Sequence, residues 1–161
     1  MSYTRIFIHG LESSSRGTKG TYFTRDIPGM IVDDFPGGFT ERMTKLKSLL
    51  ADSESCILVG SSYGGLMATV YALEHPLIIN RLILLAPALT LPELDPSPGQ
   101  TINCPVILYH GDHDDVVPPD AVRSIAERLC TNLDYHRVYD DHSLHRTFSR
   151  LDWEALLLVD K

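Results

Sequence analysis

Cysteine is scarce in this chain, and its three copies, Cys56, Cys104 and Cys130, stand far apart with no C-x-x-C pair. An odd, widely spaced set excludes a disulfide framework and a paired-cysteine zinc site. The three read instead as reduced, buried small hydrophobes of a cytosolic protein. Positive charge is short as well: 14 Lys and Arg stand against 21 Asp and Glu, for a net charge of −7. Without a basic stripe to neutralise phosphates, nucleic acid and anionic membrane surfaces are excluded as partners. No apolar run approaches the roughly 20 residues that span a bilayer. The opening Met1-Ser2-Tyr3-Thr4-Arg5 runs directly into a strand-like segment and lacks the long apolar stretch of an export signal. A cytoplasmic location is therefore expected. H-E-x-x-H is missing too, so no metal is expected. The polar stretch from Ser13 to Gly20 has the order Gly-Thr-Lys and no correctly spaced glycine before it, so it does not match a phosphate-binding loop. It reads as a solvated loop whose Arg16 or Lys19 would favour an anionic substrate group.

What is present is an ordinary supply of core-forming residues. In 161 residues, 43% are apolar and 22% charged, enough for one domain over residues 1–161 that buries about two thirds of its surface. Apolar runs alternate with helical patterns along the chain. Strands are expected at Arg5 to His9, Met30 to Asp33, Cys56 to Val59, Arg81 to Leu85, Val106 to Tyr109 and, more polar and hence at an edge, Asp134 to Tyr139. Helices are expected around Thr21 to Asp26, over Thr40 to Ala51, from Gly64 to a stop at His75 before Pro76, after Pro119, and over Leu144 to Leu157. Continuous apolar strands separated by helices imply an α/β fold: a three-layer, doubly wound, mostly parallel sheet of about six strands. Five prolines between Pro87 and Pro105 forbid a long helix there, so that stretch is a turn-rich excursion.

Directly after Cys56-Ile57-Leu58-Val59 comes Gly60-Ser61-Ser62-Tyr63-Gly64-Gly65. The G-x-S-x-G spacing places a serine on a sharp strand-to-helix turn, which brings the residues two before and two after it close together, so only small residues fit there. A serine hydroxyl is a weak nucleophile until a base takes its proton, so Ser62 needs a histidine, and the histidine needs an orienting carboxylate. Asp112, Asp114 and Asp115 share one loop after the fifth strand, and seven histidines compete for the role of base. His142 follows the last strand directly, with His145 one helical turn later.

Three further segments join the elbow: His9-Gly10-Leu11, the run His110-Gly111-Asp112-His113-Asp114-Asp115-Val116-Val117-Pro118, and Asp140-Asp141-His142. Together, in this order, they resemble the α/β-hydrolase superfamily, in particular its small lid-less bacterial serine esterases, over essentially the whole chain. Two features of that family are missing: its usual first two strands, and the cap inserted after the fourth strand seen here. The chain thus looks like a trimmed version with a shallow, open site. The resemblance implies Ser62 as nucleophile, Asp114 as acid and His142 as base, with Asp112 and Asp115 left as turn-formers and His9 as a structural strand end. It also implies that the Leu11 and Tyr63 amides form the oxyanion hole, and no cofactor is required. The expected activity is cleavage of a carboxylic ester or thioester of a small-molecule acyl substrate, with Leu89, Leu91, Val116 and Val117 as apolar walls. An amide or C–C hydrolase with the same residues, or a non-catalytic binding protein on the same scaffold, are the alternatives.

Overall fold

The computed structural model describes residues 3–159. Among the described residues, six strands and five helices follow one another in the order β1 (Thr4–Ile8), α1 (Thr18–Asp26), β2 (Ile31–Val32), α2 (Phe39–Leu49), β3 (Cys56–Ser61), α3 (Tyr63–Glu74), β4 (Ile79–Leu85), β5 (Val106–Gly111), α4 (Pro119–Leu129), β6 (Leu133–Val138) and α5 (Trp153–Leu156), with no helix between β4 and β5. All six strands lie parallel in one sheet, ordered β2-β1-β3-β4-β5-β6. The chain moves outward from β1 to β2, then returns to place β3 on the other side of β1. That reversal opens a crevice at the carboxyl ends of β1 and β3.

Strand periodicity sorts the apolar side chains into two cores, since successive residues point to opposite faces. Ile6, Ile8, Leu58, Leu82 and Leu84 face one way and are covered by Met43, Leu46, Leu66, Met67, Val122 and Ala126 from α2, α3 and α4. Phe7, Ile57, Val59, Ile83 and Leu85 face the other way, onto Phe23 of α1 and the C-terminal Phe148, Trp153 and Leu157. Burial on both faces is why these strands read as unbroken apolar runs. Edge strand β6 is only partly buried, and Arg137 on it pairs with Asp112 and Asp120.

Two expectations change. Helix α1 starts at Thr18, three residues before the expected start, so the polar loop is shorter. The expected helix from Leu144 to Leu157 is broken into a turn, a 3-10 turn at Phe148–Arg150 and the short α5. Leu144 has φ +54°, and the Asp140 carboxylate accepts the Arg146 and Thr147 amides at 3.0 and 2.7 Å. Asp152 then caps α5 by accepting the Ala155 amide at 3.1 Å. These carboxylates compete with helical hydrogen bonding. The apolar residues of this stretch instead serve an aromatic cluster, with Trp153 and Phe148 centroids 4.8 and 5.6 Å from that of Phe23. As expected, residues 86–105 hold no helix or strand beyond one isolated bridge, Ile102 to Cys130. Among the described residues, no helix is long and apolar enough to cross a membrane.

Candidate active site

Strand β3 ends at Ser61 and α3 begins at Tyr63, leaving Ser62 alone on the bend with φ +54° and ψ −114°. Such a backbone costs a non-glycine residue about 1–3 kcal/mol and persists only where the surroundings hold it. Here the Ser62 amide donates to Leu85 O at 2.9 Å, and its carbonyl accepts from Gly65, Leu66 and Ala88. The flanking glycines supply the necessary clearance. A Cβ on Gly60 would lie 2.7 Å from Gly65 Cα, and one on Gly64 would lie 2.5 Å from Ile8 C and 2.7 Å from His9 O. Neither side chain would fit without moving backbone.

Ser62 Oγ lies 3.0 Å from His142 Nε2, and His142 Nδ1 lies 2.7 Å from Asp114 Oδ2. Nδ1 therefore donates to the carboxylate, leaving Nε2 to accept the serine proton. The Asp114 side chain is wholly buried, whereas that of His142 keeps 20% exposure toward the cleft. Asp114 Oδ1 accepts the Val116 and Val117 amides at 2.9 and 2.8 Å, so the carboxylate folds its own loop as well as orienting the imidazole. Asp112, expected as a turn-former, pairs instead with Arg137 of β6.

The pattern gave no role to His110. It is completely buried behind Asp114, with Nε2 3.0 Å from Asp114 Oδ2 and 3.1 Å from Val117 O. Both neighbours are acceptors, so Nε2 carries the proton, while Nδ1 has no partner among the described residues. Burial lowers the His110 pKa, against the opposing pull of the Val117 carbonyl and Asp114. Asp114 thus receives four hydrogen bonds and needs no water. The available signal was the i, i+4 spacing of a histidine at a strand end and the aspartate in its loop.

The other histidines have separate partners. His145 Nδ1 lies 2.6 Å from Asp141 Oδ2, and this bond holds the Asp141 carboxyl below its ordinary range. His9 accepts the Phe35 amide at Nε2, at 2.9 Å, and donates from Nδ1 to Gly10 O. His75 packs at a tilt against Tyr71, His136 stacks on Tyr109, and His113 meets Tyr139 edge-on. Among the described residues, no three His, Cys, Asp or Glu side chains form a cluster able to hold a metal.

Ser62 and His142 line a cleft of about 720 Å³. Gly10 lies beside the serine: a Cβ there would be 3.4 Å from Ser62 Cβ and 3.9 Å from Oγ. The following Leu11 lines the same cleft, as does Tyr63. Neither amide donates to a partner among the described residues. The lining of the cleft includes apolar Leu91, Val116 and Val117 and polar Ser13, Thr18, Lys19 and Ser149. Leu89 corrects the expectation. It is 3% exposed and lines a second cleft, of about 500 Å³, against α4. The tight turn closed by its own amide on Pro87 O, at 2.9 Å, directs it away from Ser62.

Solved structures share this arrangement of strands and helices at low sequence identity. An α-β serine hydrolase homologue from Coxiella burnetii superimposes with a TM-score of 0.78 and 18% identity, over 97% of this chain and 84% of that one. A monoacylglycerol lipase from Paleococcus ferrophilus gives 0.74 and 19%, over 94% and 93%. Est1E from Butyrivibrio proteoclasticus gives 0.74 and 20%, over 89% and 81%. The chain has the α/β-hydrolase fold. A family model for "Serine aminopeptidase, S33" matches residues 29–101 of this α/β-hydrolase-fold chain, a span that holds the serine elbow but neither Asp114 nor His142. No curated protein sequence matches.

Proposed function

We propose that this chain is a serine hydrolase that cleaves a carboxylic ester or thioester of a small acyl substrate through an acyl-enzyme. The observation that carries this reading is the 3.0 Å approach of Ser62 Oγ to His142 Nε2, with Asp114 bonded to the other ring nitrogen. In the first step Oγ forms a bond to the acyl carbon while its proton passes to Nε2. The tetrahedral oxyanion is received by the Leu11 and Tyr63 amides, each such donor contributing about 3 kcal/mol to the barrier reduction. His142 then returns the proton to the departing alkoxide or thiolate as the C–O or C–S bond breaks. Water attacks the acyl-serine with the same imidazole as base, and the acid leaves with Ser62 regenerated. The open cleft suits a short or medium acyl chain. No nucleic-acid or membrane partner and a cytoplasmic setting complete the proposal.

The "Serine aminopeptidase, S33" description of the matching family favours one second reading, hydrolysis of an amide by the same residues. The test of both is fluorophosphonate labelling with peptide mapping, alongside 4-nitrophenyl esters and aminoacyl 4-nitroanilides. Labelling confined to Ser62, and turnover reduced about 10⁴-fold or more in Ser62→Ala and His142→Ala, is the expected result. Labelling elsewhere, or none together with no turnover of any substrate, overturns the proposal. Turnover of anilides but not esters selects the second reading.

A further inference from the structure

The lining of the Ser62 cleft includes a cation without a counter-ion among the described residues. Lys19, in the first turn of α1, lines the cleft and donates from Nζ to Ser143 O at 2.7 Å. It sits 5.5 Å from the Phe148 ring centroid. It forms no ion pair among the described residues, although Asp140 and Asp141 are near enough to pull on its charge. Those two carboxylates are already engaged. Asp140 accepts the Asp141, Arg146 and Thr147 amides, and Asp141 holds His145. Burial accordingly lowers the Lys19 pKa despite both acids. One of three N–H donors is satisfied by a neutral carbonyl, and the other two have no partner among the described residues. Arg16, the other cation of this segment, does not line the cleft. Glu12 does, but it is exposed to solvent that screens it.

We propose that Lys19 is a specificity-determining residue that receives an anionic group, most simply a carboxylate, carried by the substrate beyond the bond Ser62 attacks. This rests on the serine-hydrolase reading above. The substrate class is then an ester or thioester with one neutral, apolar part against Leu91, Val116 and Val117 and one anionic part against Lys19. Charge-assisted hydrogen bonds made in a partly desolvated cleft discriminate strongly, because a neutral analogue leaves the ammonium without its second partner.

The test compares matched pairs: 4-nitrophenyl hydrogen adipate against 4-nitrophenyl hexanoate for an acyl-side anion, and 4-acetoxybenzoate against 4-acetoxybenzamide for the alcohol side. The quantity read is the ratio of kcat/KM, carboxylate over neutral. In wild type it is expected to exceed one for at least one pair, and in Lys19→Met to fall about 10–100-fold, mainly through KM. Lys19→Arg, which keeps the charge and a donor for Ser143 O, should retain most of the ratio. A ratio unchanged by Lys19→Met, both substrates losing activity in parallel, would mean that Lys19 only tethers the Ser143 segment and overturns the proposal. A wild-type ratio at or below one for both pairs overturns it too. In either case turnover of the neutral esters leaves the hydrolase reading standing, whereas inactivity on every substrate and no fluorophosphonate labelling removes that reading itself.

Discussion

Replacing Gly64 by alanine sets two effects of opposite sign against each other. Gly64 is the second residue of α3, and alanine is a better helix former than glycine by up to about 1 kcal/mol. Propensity alone therefore predicts stabilisation. Packing predicts the reverse. The new Cβ would stand 2.5 Å from Ile8 C and 2.7 Å from His9 O, and closer still to the Ile8 carbonyl oxygen, where ordinary contact begins at 3.4 Å. These are backbone atoms, so no rotamer change relieves the overlap. Strand β1 would have to retreat from α3 by about an ångström while paired on both edges, with β2 and β3. Overpacking of this kind costs about 1–3 kcal/mol or more, and with no side-chain escape the upper end applies. Net of the helical gain, Gly64→Ala should lose about 2 kcal/mol, which for a chain of this size lowers Tm by roughly 4–8 °C. Gly10→Ala is the control, since its Cβ meets Ser62 Cβ only at 3.4 Å, and its Tm should stay within about 3 °C of wild type. Thermal unfolding followed by circular dichroism reads both. A Gly64→Ala Tm at or above wild type, or equal to that of Gly10→Ala, would refute the steric reasoning.

Two further predictions concern groups whose titration burial has shifted. His110 is held neutral by burial, so the unfolded chain binds a proton that the folded chain resists. Its contribution to stability is complete above the ordinary histidine pKa of about 6.5 and is lost as pH falls below it, by up to about 1.4 kcal/mol per pH unit. His110→Gln, which keeps a donor at the Nε2 position, should flatten the dependence of Tm on pH between about 6.5 and 5; an unaltered slope would sink the assignment. Cys104 and Cys130 have thiols pushed up to about 11 and about 12 by burial. Neither should react with a disulfide reagent at neutral pH until denaturant is added, and prompt native-state labelling of either would contradict this.

The fold was legible because the central strands are buried on both faces. Runs such as Cys56 to Val59 and Arg81 to Leu85 therefore carried a signal independent of any partner. The C-terminal region was misread for the same kind of reason. Leu144, Phe148 and Leu151 recur at helical spacing, but the choice between helix and turns was made by carboxylates at Asp140 and Asp152, and side-chain competition of that sort leaves no period. Around Ser62, the elbow glycines announced themselves because their spacing encodes a steric requirement. The roles of His110 and Leu89 did not, since each depends on where a loop returns. A histidine one residue before a strand's last glycine is silent until the Asp114 loop folds over it, and Leu89 faces α4 through a single tight turn at Pro87.

The distance across the sheet explains why the histidine must come from so far along the chain. Ser62 follows β3 and Asp114 follows β5, with β4 between them, so their strands are two spacings apart, about 9.6 Å at 4.8 Å per spacing. The serine hydroxyl and the aspartate therefore cannot meet directly. Between them lie the 3.0 Å and 2.7 Å contacts of His142 and an imidazole whose nitrogens are about 2.2 Å apart, a reach of about 8 Å that closes most of the gap. The loop after edge strand β6 delivers that ring over the ends of β5 and β4, and the bonds from Asp140 to the Arg146 and Thr147 amides fix the turn that carries it. On this geometry an added strand between β3 and β5 would break the chain of contacts, whereas insertions after β4, where the proline-rich excursion now lies, would leave it intact.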